Sequence, residues 1–400
     1  MPQPVKTETC PVAGFRFAGV SAGLKQATGV KDLGLIVAER PVAAAGAFTT
    51  NLVQAAPVKL ARERLKAGRI QAVLVNSGSA NCFTGKAGER LAESSCAALA
   101  REIGCSAKLV VPCSTGVIGQ LYSLERLRRG LMAACRELRA EGADDFARAI
   151  MTTDTRTKTA YTSLKLDRRR ITLLGIAKGA GMIAPAMATM LAFIITDAAV
   201  GPSALRRALR RAVKSSFDAI TIDGDMSTND TVLLLASGAG ASGELTDRAL
   251  TKFEAALGAV CQSLARQIVY DGEGATKLAA VEVSGARSQA DANAVARRIA
   301  NSPLVKTALF GCDPNVGRIL AAAGASGVRF DPERLVLRVG GVTVAARGRV
   351  IVNGLDQARR VMSRRELELK LDLRLGSAKA TVVTSDLSFD YVRINAEYTS

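Results

Sequence analysis

The 400-residue chain has no histidine. That removes the Ser-His-Asp and Cys-His arrangements of nucleophilic catalysis, and with them the HExxH zinc helix. Tryptophan is absent as well, and aromatic residues reach only 4%, so the stacking platforms of single-strand nucleic-acid binders have little to be built from. None of the eight cysteines, at 10, 82, 96, 105, 113, 135, 261 and 312, belongs to a CxxC pair, and no metal site is expected. They read as reduced, packed thiols, Cys113 beside "STG" included. Long hydrophobic runs are also missing. The most apolar stretch, 183–200, is broken by Pro185, Thr189, Thr196 and Asp197, too polar for the ~20 residues that span hydrocarbon. The opening "MPQPVKTETCPVAGFRF" lacks the basic-then-apolar layout of a signal peptide. The expectation is a cytoplasmic protein without a membrane partner.

What remains is 48% hydrophobic and 22% charged, with no low-complexity segment, and it suits a compact fold with ample core. The net charge of +18 raises nucleic-acid binding. Yet in "LRRALRRAVK" (205–214), Arg206, Arg207, Arg210 and Arg211 recur at helical spacing around Leu205, Leu209 and Val213. That is the pattern of a solvated helix face, and no nucleic-acid partner is expected.

Apolar runs bounded by Gly, Asn or Pro predict strands at 34–39, 71–78, 108–116, 170–179 and 190–198. Helical patterns cover 87–104, 123–138, 144–152, 202–214, 246–266 and 288–300. The last quarter predicts a hairpin turning at Gly340-Gly341, followed by further strands through "SFDYVRINAEY". Several strands follow one another without helices. The pattern therefore favours an α/β (α+β) fold in α/β/β/α layers, with a weak division near 280.

Without histidine, a nucleophile needs another base. A threonine made N-terminal by chain cleavage carries one, because its α-amine titrates near ~7.7–8.0 while a lysine stays protonated to ~10.4. The stretch "KGAGMIAPAMATMLAFIITDA" (178–198) suits this route. A glycine-rich loop allows close backbone approach, Ala188 offers an unhindered carbonyl, and Thr189 stands before a buried strand. An ordinary strand threonine would read the same way.

The stretch closely resembles the self-cleaving loop of the glutamate N-acetyltransferases, or ornithine acetyltransferases. The resemblance runs in order along the chain through "AGAFTTNLVQAAPV", "NSGSANCFTG", "STGVIG", "MTTDT", "KGAGMIAPAMATML", "ITIDGDMSTND", "DGEGATK", "LVKTALFGCDPNVGRI" and "NAEYTS". It implies a layered α/β sandwich cut between Ala188 and Thr189 into an α chain, 1–188, and a β chain, 189–400, assembled as a heterotetramer of two each. The implied reaction moves acetyl from N-acetylornithine to glutamate in arginine biosynthesis, through an acetyl-Thr189 intermediate. Thr115 and Gly116 match the oxyanion hole, while Thr152, Lys178, Glu273, Asn395 and Ser400 match substrate-contacting positions. A lysine there suits a carboxylate, and a glutamate suits an ammonium. No cofactor is implied. Some members also take acetyl from acetyl-CoA; no glycine-rich loop here forms a phosphate cradle, so acetyl-CoA is expected to be a poor donor. Departures from the common pattern are Ser79, Ala184, Ala186 and Val316, none at a transferring position. Competing readings are an N-terminal-nucleophile amidohydrolase or aminopeptidase with water as acceptor, and a paralogue in specialised metabolism.

Overall fold

The computed structural model describes residues 4–166, 169–184, 190–240 and 243–397. Its organising element is the 16-residue strand Leu33–Phe48. The first part of this strand pairs with Phe15–Val20 and Arg69–Ser79, and its last part with Thr231–Ala236. Between them the register shifts from Val37 to Val42, around the exposed Arg40-Pro41. Such irregularities turn a strand. The complete sheet has eight strands. Phe15–Val20 flanks the long strand, and the others run Val110–Val117, Arg69–Ser79, Leu33–Phe48, Thr231–Ala236, Leu191–Thr196, Arg169–Lys178, Lys158–Leu166.

The core clusters show how the sheet folds over. Ile36, Val73, Val75 and Val111 from one half share a cluster with Ile176, Phe193, Ile195 and Leu233 from the other. Phe146 meets Phe193 edge-on at 5.2 Å in the same layer. The alternate residues point outward, as the two-residue period of a strand requires. Leu33, Leu35 and Leu74 pack with helices Gly85–Glu102 and Leu124–Arg136. Leu173, Ile194 and Leu234 pack with helices Pro202–Lys214 and Asp247–Tyr270. The result is the expected α/β/β/α order, with both inner layers supplied by one bent sheet. Helix Pro202–Lys214 buries Leu205, Leu209 and Val213 and exposes the four arginines between them.

A second, seven-stranded sheet is built mainly from Leu278–Ala286, Val336–Val339, Val342–Ala346, Glu366–Asp372 and Ala378–Ser385. It has its own core against helices Gln289–Ala300 and Val316–Gly324. The hairpin turns where predicted, with Val339 opposite Val342 and both glycines at positive φ. The expectation of strands through the C-terminal stretch is corrected: Phe389–Glu397 is a helix. Ser388 opens it, its Oγ accepting from Tyr391 N at 3.3 Å, the bond of an N-cap serine. The fold also contains strands Phe15–Val20, Lys158–Leu166 and Thr231–Ala236, which the apolar-run reading passed over. No helix among the described residues is long and apolar enough to cross a membrane.

Candidate active site

Strand ends and loops converge on a small cleft of ≈ 90 Å³. Thr115 and Gly116 come from the end of strand Val110–Val117, and Lys178 is the last residue of strand Arg169–Lys178. Thr152 stands in the loop after helix Ala143–Ala149, Glu273 follows helix Asp247–Tyr270, and Asn395 lies on the C-terminal helix. Six of the residues singled out in the sequence therefore share one cavity. Ala188, Thr189 and Ser400 lie outside the described residues. Leu191, two positions beyond Thr189, pairs directly with Lys178, so the described strand starts at the cleft's edge.

Gly116 is required on two grounds. Its φ is +124°, a region that side chains avoid. A Cβ would also lie 2.4 Å from the carbonyl carbon of Gly78. The "NSGSAN" segment holds this strand end. Asn76 Oδ1 accepts from Ser114 Oγ at 2.6 Å, and Asn229 Nδ2 donates to Ala80 O and Ser114 O at 2.7 and 2.8 Å. Neighbouring Cys113 is buried, and burial pushes its thiol well above the ordinary range. It is a packing residue.

Lys178 is 3% exposed. Its Nζ donates to Thr152 Oγ1 at 2.8 Å and Thr115 Oγ1 at 3.2 Å, and lies 4.0 Å from Asp154 Oδ2. Burial lowers its pKa, opposed by Asp154 and reinforced by Lys158. Because the Thr115 hydroxyl accepts from this ammonium, its own proton is directed elsewhere, and the adjacent positive charge makes it a stronger donor.

Behind the cleft is an ionic layer. Lys158 is fully buried, its Nζ 2.6 Å from both Asp154 Oδ1 and Asp271 Oδ2. Asp154 also accepts from the backbone N of Gly179 at 2.7 Å and Thr152 at 3.0 Å. Burial alone would raise the Asp154 pKa, but Lys178 and Lys158 hold it well below the usual carboxylate range. Asp271 accepts from Thr155 N at 3.1 Å and pairs with Arg156 Nε at 3.5 Å. The sequence reading missed Asp154, Lys158, Asn229 and Asp271. Asp154, Asn229 and Asp271 sit inside quoted motifs, so the signal was present without a role.

Across the cleft, Glu273 Oε2 accepts from Asn395 Nδ2 at 3.0 Å, and Glu273 N donates to Ala180 O at 2.8 Å. A Cβ on Gly181 would fall 2.4 Å from Glu273 Oε2, so this glycine makes room for the carboxylate. The site therefore presents a partly exposed acid opposite a buried cation with two hydroxyls. Among the described residues, no three acidic or cysteine side chains come together as metal ligands.

The family model of ArgJ matches residues 16–400. The chain belongs to the ArgJ family. The arginine biosynthesis bifunctional protein ArgJ of Geobacter sulfurreducens is 48% identical over 391 residues, covering 97% of this chain and 99% of that protein. The protein of the same name from Synechocystis is 45% identical over 399 residues, covering 97% and 96%. A crystal structure of the ArgJ protein from Bacillus halodurans is 38% identical, with a TM-score of 0.50, and matches 52% of this chain and 98% of its own. Membership bears out the resemblance read from the motifs, and ArgJ members are glutamate N-acetyltransferases and ornithine acetyltransferases.

Proposed function

We propose that this acetyltransferase of arginine biosynthesis carries acetyl from N-acetylornithine to glutamate on the Thr189 hydroxyl. The supporting observation is the convergence of Thr115, Gly116, Lys178 and Glu273 on one cleft beside the strand that follows Thr189. In this reading the precursor's Thr189 Oγ attacks the Ala188 carbonyl and the peptide C–N bond breaks, which frees the threonine's amine; water then hydrolyses the resulting ester to the Ala188 carboxylate and the Thr189 hydroxyl. In the mature enzyme that amine takes the hydroxyl proton as Oγ attacks the acetyl carbonyl. The oxyanion is met by the Thr115 hydroxyl and Gly116 N–H. The proton passes to the departing ornithine amine. Glutamate's amine then attacks the acetyl-threonine, and the transfer is ping-pong.

The binding roles follow from charge. Lys178 has two N–H groups engaged by threonines, so it serves a substrate carboxylate by its field. Glu273 faces the ornithine ammonium, with Asn395 orienting its carboxylate. Ser400 and Thr152 complete the pocket, no cofactor is required, and acetyl-CoA is a poor donor.

The cut would yield chains 1–188 and 189–400 that stay interlocked. Strands Thr231–Ala236 and Leu191–Thr196 sit between Leu33–Phe48 on one side and Arg169–Lys178 on the other. Both β-chain strands are thus flanked by α-chain strands, and separation would unzip two ladders. The Bacillus halodurans chain, matched almost entirely by about half of this one, supports a half-length mature chain. Two such pairs would form a cytoplasmic heterotetramer.

Denaturing mass measurement of purified protein tests the reading. It should give two fragments meeting at Ala188-Thr189, the second acetylated by acetylornithine and cleared by glutamate. Acetyl lost to water at the same rate without glutamate would make the protein an amidohydrolase.

Two substitutions separate the roles. Thr115→Ala should slow turnover ~100–1,000-fold, about 2.7–4 kcal/mol of transition-state stabilisation, with little change in acetylornithine affinity. A loss of affinity at normal turnover would make Thr115 a binding residue. Glu273→Gln should slow acetylation of the β chain by acetylornithine more than its deacetylation by glutamate. Equal slowing of both halves, or none, would remove Glu273 from ammonium recognition.

A further inference from the structure

The transfer cleft uses little of the +18 charge. Much larger is a groove of ≈ 1000 Å³ between helix Pro202–Lys214, helix Gln289–Ala300 and strand Ala378–Ser385. Arg206, Arg210, Arg211, Lys214, Arg297 and Lys379 line it against one acid, Asp218. Arg211 is engaged by Glu254 at 2.8 Å. Arg206, Arg210, Lys214 and Lys379 form no ion pair among the described residues. Arg297 donates from Nη2 to the Asp218 carbonyl at 3.3 Å, while its buried Nε has no hydrogen-bond partner.

Gathering cations around a concave space is unfavourable unless an anion shares it. A guanidinium nitrogen left unsatisfied and buried points the same way, since native proteins satisfy nearly all such groups. The cations come from three separate elements, so one carboxylate would satisfy few of them. Clustered phosphates would satisfy more, and the arginine fork pairs with phosphate in two-point contacts. Phe48, Leu209, Val213 and Ala380 add apolar lining. The volume lies at the upper end of the ~300–1,000 Å³ of small-molecule sites.

One segment connects the groove to the transfer cleft. Gly46, Ala47, Phe48 and Thr50 line it, and Thr49 between them is pinned to the other cavity's loop. Thr49 N donates to Asp230 O at 3.0 Å and Thr49 Oγ1 to Ser227 O at 2.7 Å, and Ser227 lines the cleft.

We propose that this groove binds a phosphorylated nucleoside, with its phosphates on the Arg206, Arg210, Lys214 and Arg297 side and its body against the apolar lining. The ligand is a free nucleotide, acting on the transfer site through the segment that connects the groove to the cleft. Calorimetric titration of the purified, processed enzyme with ATP and, separately, with coenzyme A tests it. At least one should bind saturably, weaken as salt is raised, and lose tenfold or more affinity in Arg206→Glu/Arg210→Glu. Both positions are exposed on the helix, so this variant should keep its acetylornithine–glutamate transfer within about twofold without nucleotide. ATP changing transfer kinetics would identify an effector. Acetyl-CoA acetylating the β chain, with loss of that activity in the variant, would make the groove a donor site and overturn the effector role. No saturable binding of either ligand, binding undiminished in the variant, or tighter binding of a DNA oligonucleotide would overturn the proposal.

Discussion

Thr189→Ala is expected to remain a single uncut chain and to transfer no acetyl group. The expectation follows from chemistry before any comparison. With no histidine in the chain, the usual base for a hydroxyl nucleophile is missing, and Lys178 is engaged by Thr115, Thr152 and Asp154. The amine that cleavage would expose is well matched to neutral pH, titrating near ~7.7–8.0 when unperturbed. On the proposed mechanism, removing the hydroxyl would remove both the cut and the acetyl acceptor. Transfer by the parent enzyme should accordingly fall as pH drops through the amine's pKa, because only the neutral amine takes a proton. Thr189→Ser separates chemistry from folding, since it keeps an oxygen nucleophile and should both cut and transfer, more slowly. The readouts are fragment masses and acetyl transfer on the same preparation. An uncut Thr189→Ala chain with substantial activity would place the nucleophile elsewhere.

How much could be read in advance depends on whether the cause was local. Helix Pro202–Lys214 was legible to the residue because proline opens it and its leucines and arginines separate at the 3.6-residue period. The Gly340-Gly341 hairpin was legible because two glycines supply the positive φ that its turn needs. The bend of Leu33–Phe48 was not. It depends on two sets of neighbours claiming the two ends of one strand, and sequence distance hides that competition. Within the candidate site, Thr115, Gly116, Lys178 and Glu273 were legible only through the family's motifs. Lys158 was invisible, because a lysine in "TRTKTAYTS" has the look of solvent-facing polarity. Its burial arises when Asp271, at the end of helix Asp247–Tyr270 and distant in the chain, closes over it beside the neighbouring Asp154.

That burial makes Lys158→Met the change with the largest expected cost to the fold. Lys158 stands 2.6 Å from each of two buried carboxylates, and methionine fills similar space without charge. Removing one partner of a buried ionic cluster typically costs about 3–5 kcal/mol, because the remaining charges stay in a poorly solvated site. Asp154 would keep its two backbone donors and the more distant Lys178, and Asp271 would keep Thr155 and Arg156. The loss should therefore fall within that range, with unfolding moved to clearly lower urea. Neutralising a carboxylate as well tests the cause, and Lys158→Met/Asp154→Asn should recover part of the loss. The sign of the pH effect also follows. Asp154 has a depressed pKa, so its share of stability is present above the ordinary carboxylate range and vanishes only in stronger acid. Lys158→Met should weaken that depression and bring acid unfolding to higher pH. In the active cleft, Lys158 is one of the charges that lower the Lys178 pKa. Its removal should raise that pKa and move any alkaline fall in transfer rate upward. A variant that unfolds at the parent's urea concentration, with an unchanged acid limb, would show that the buried layer does not hold the site together.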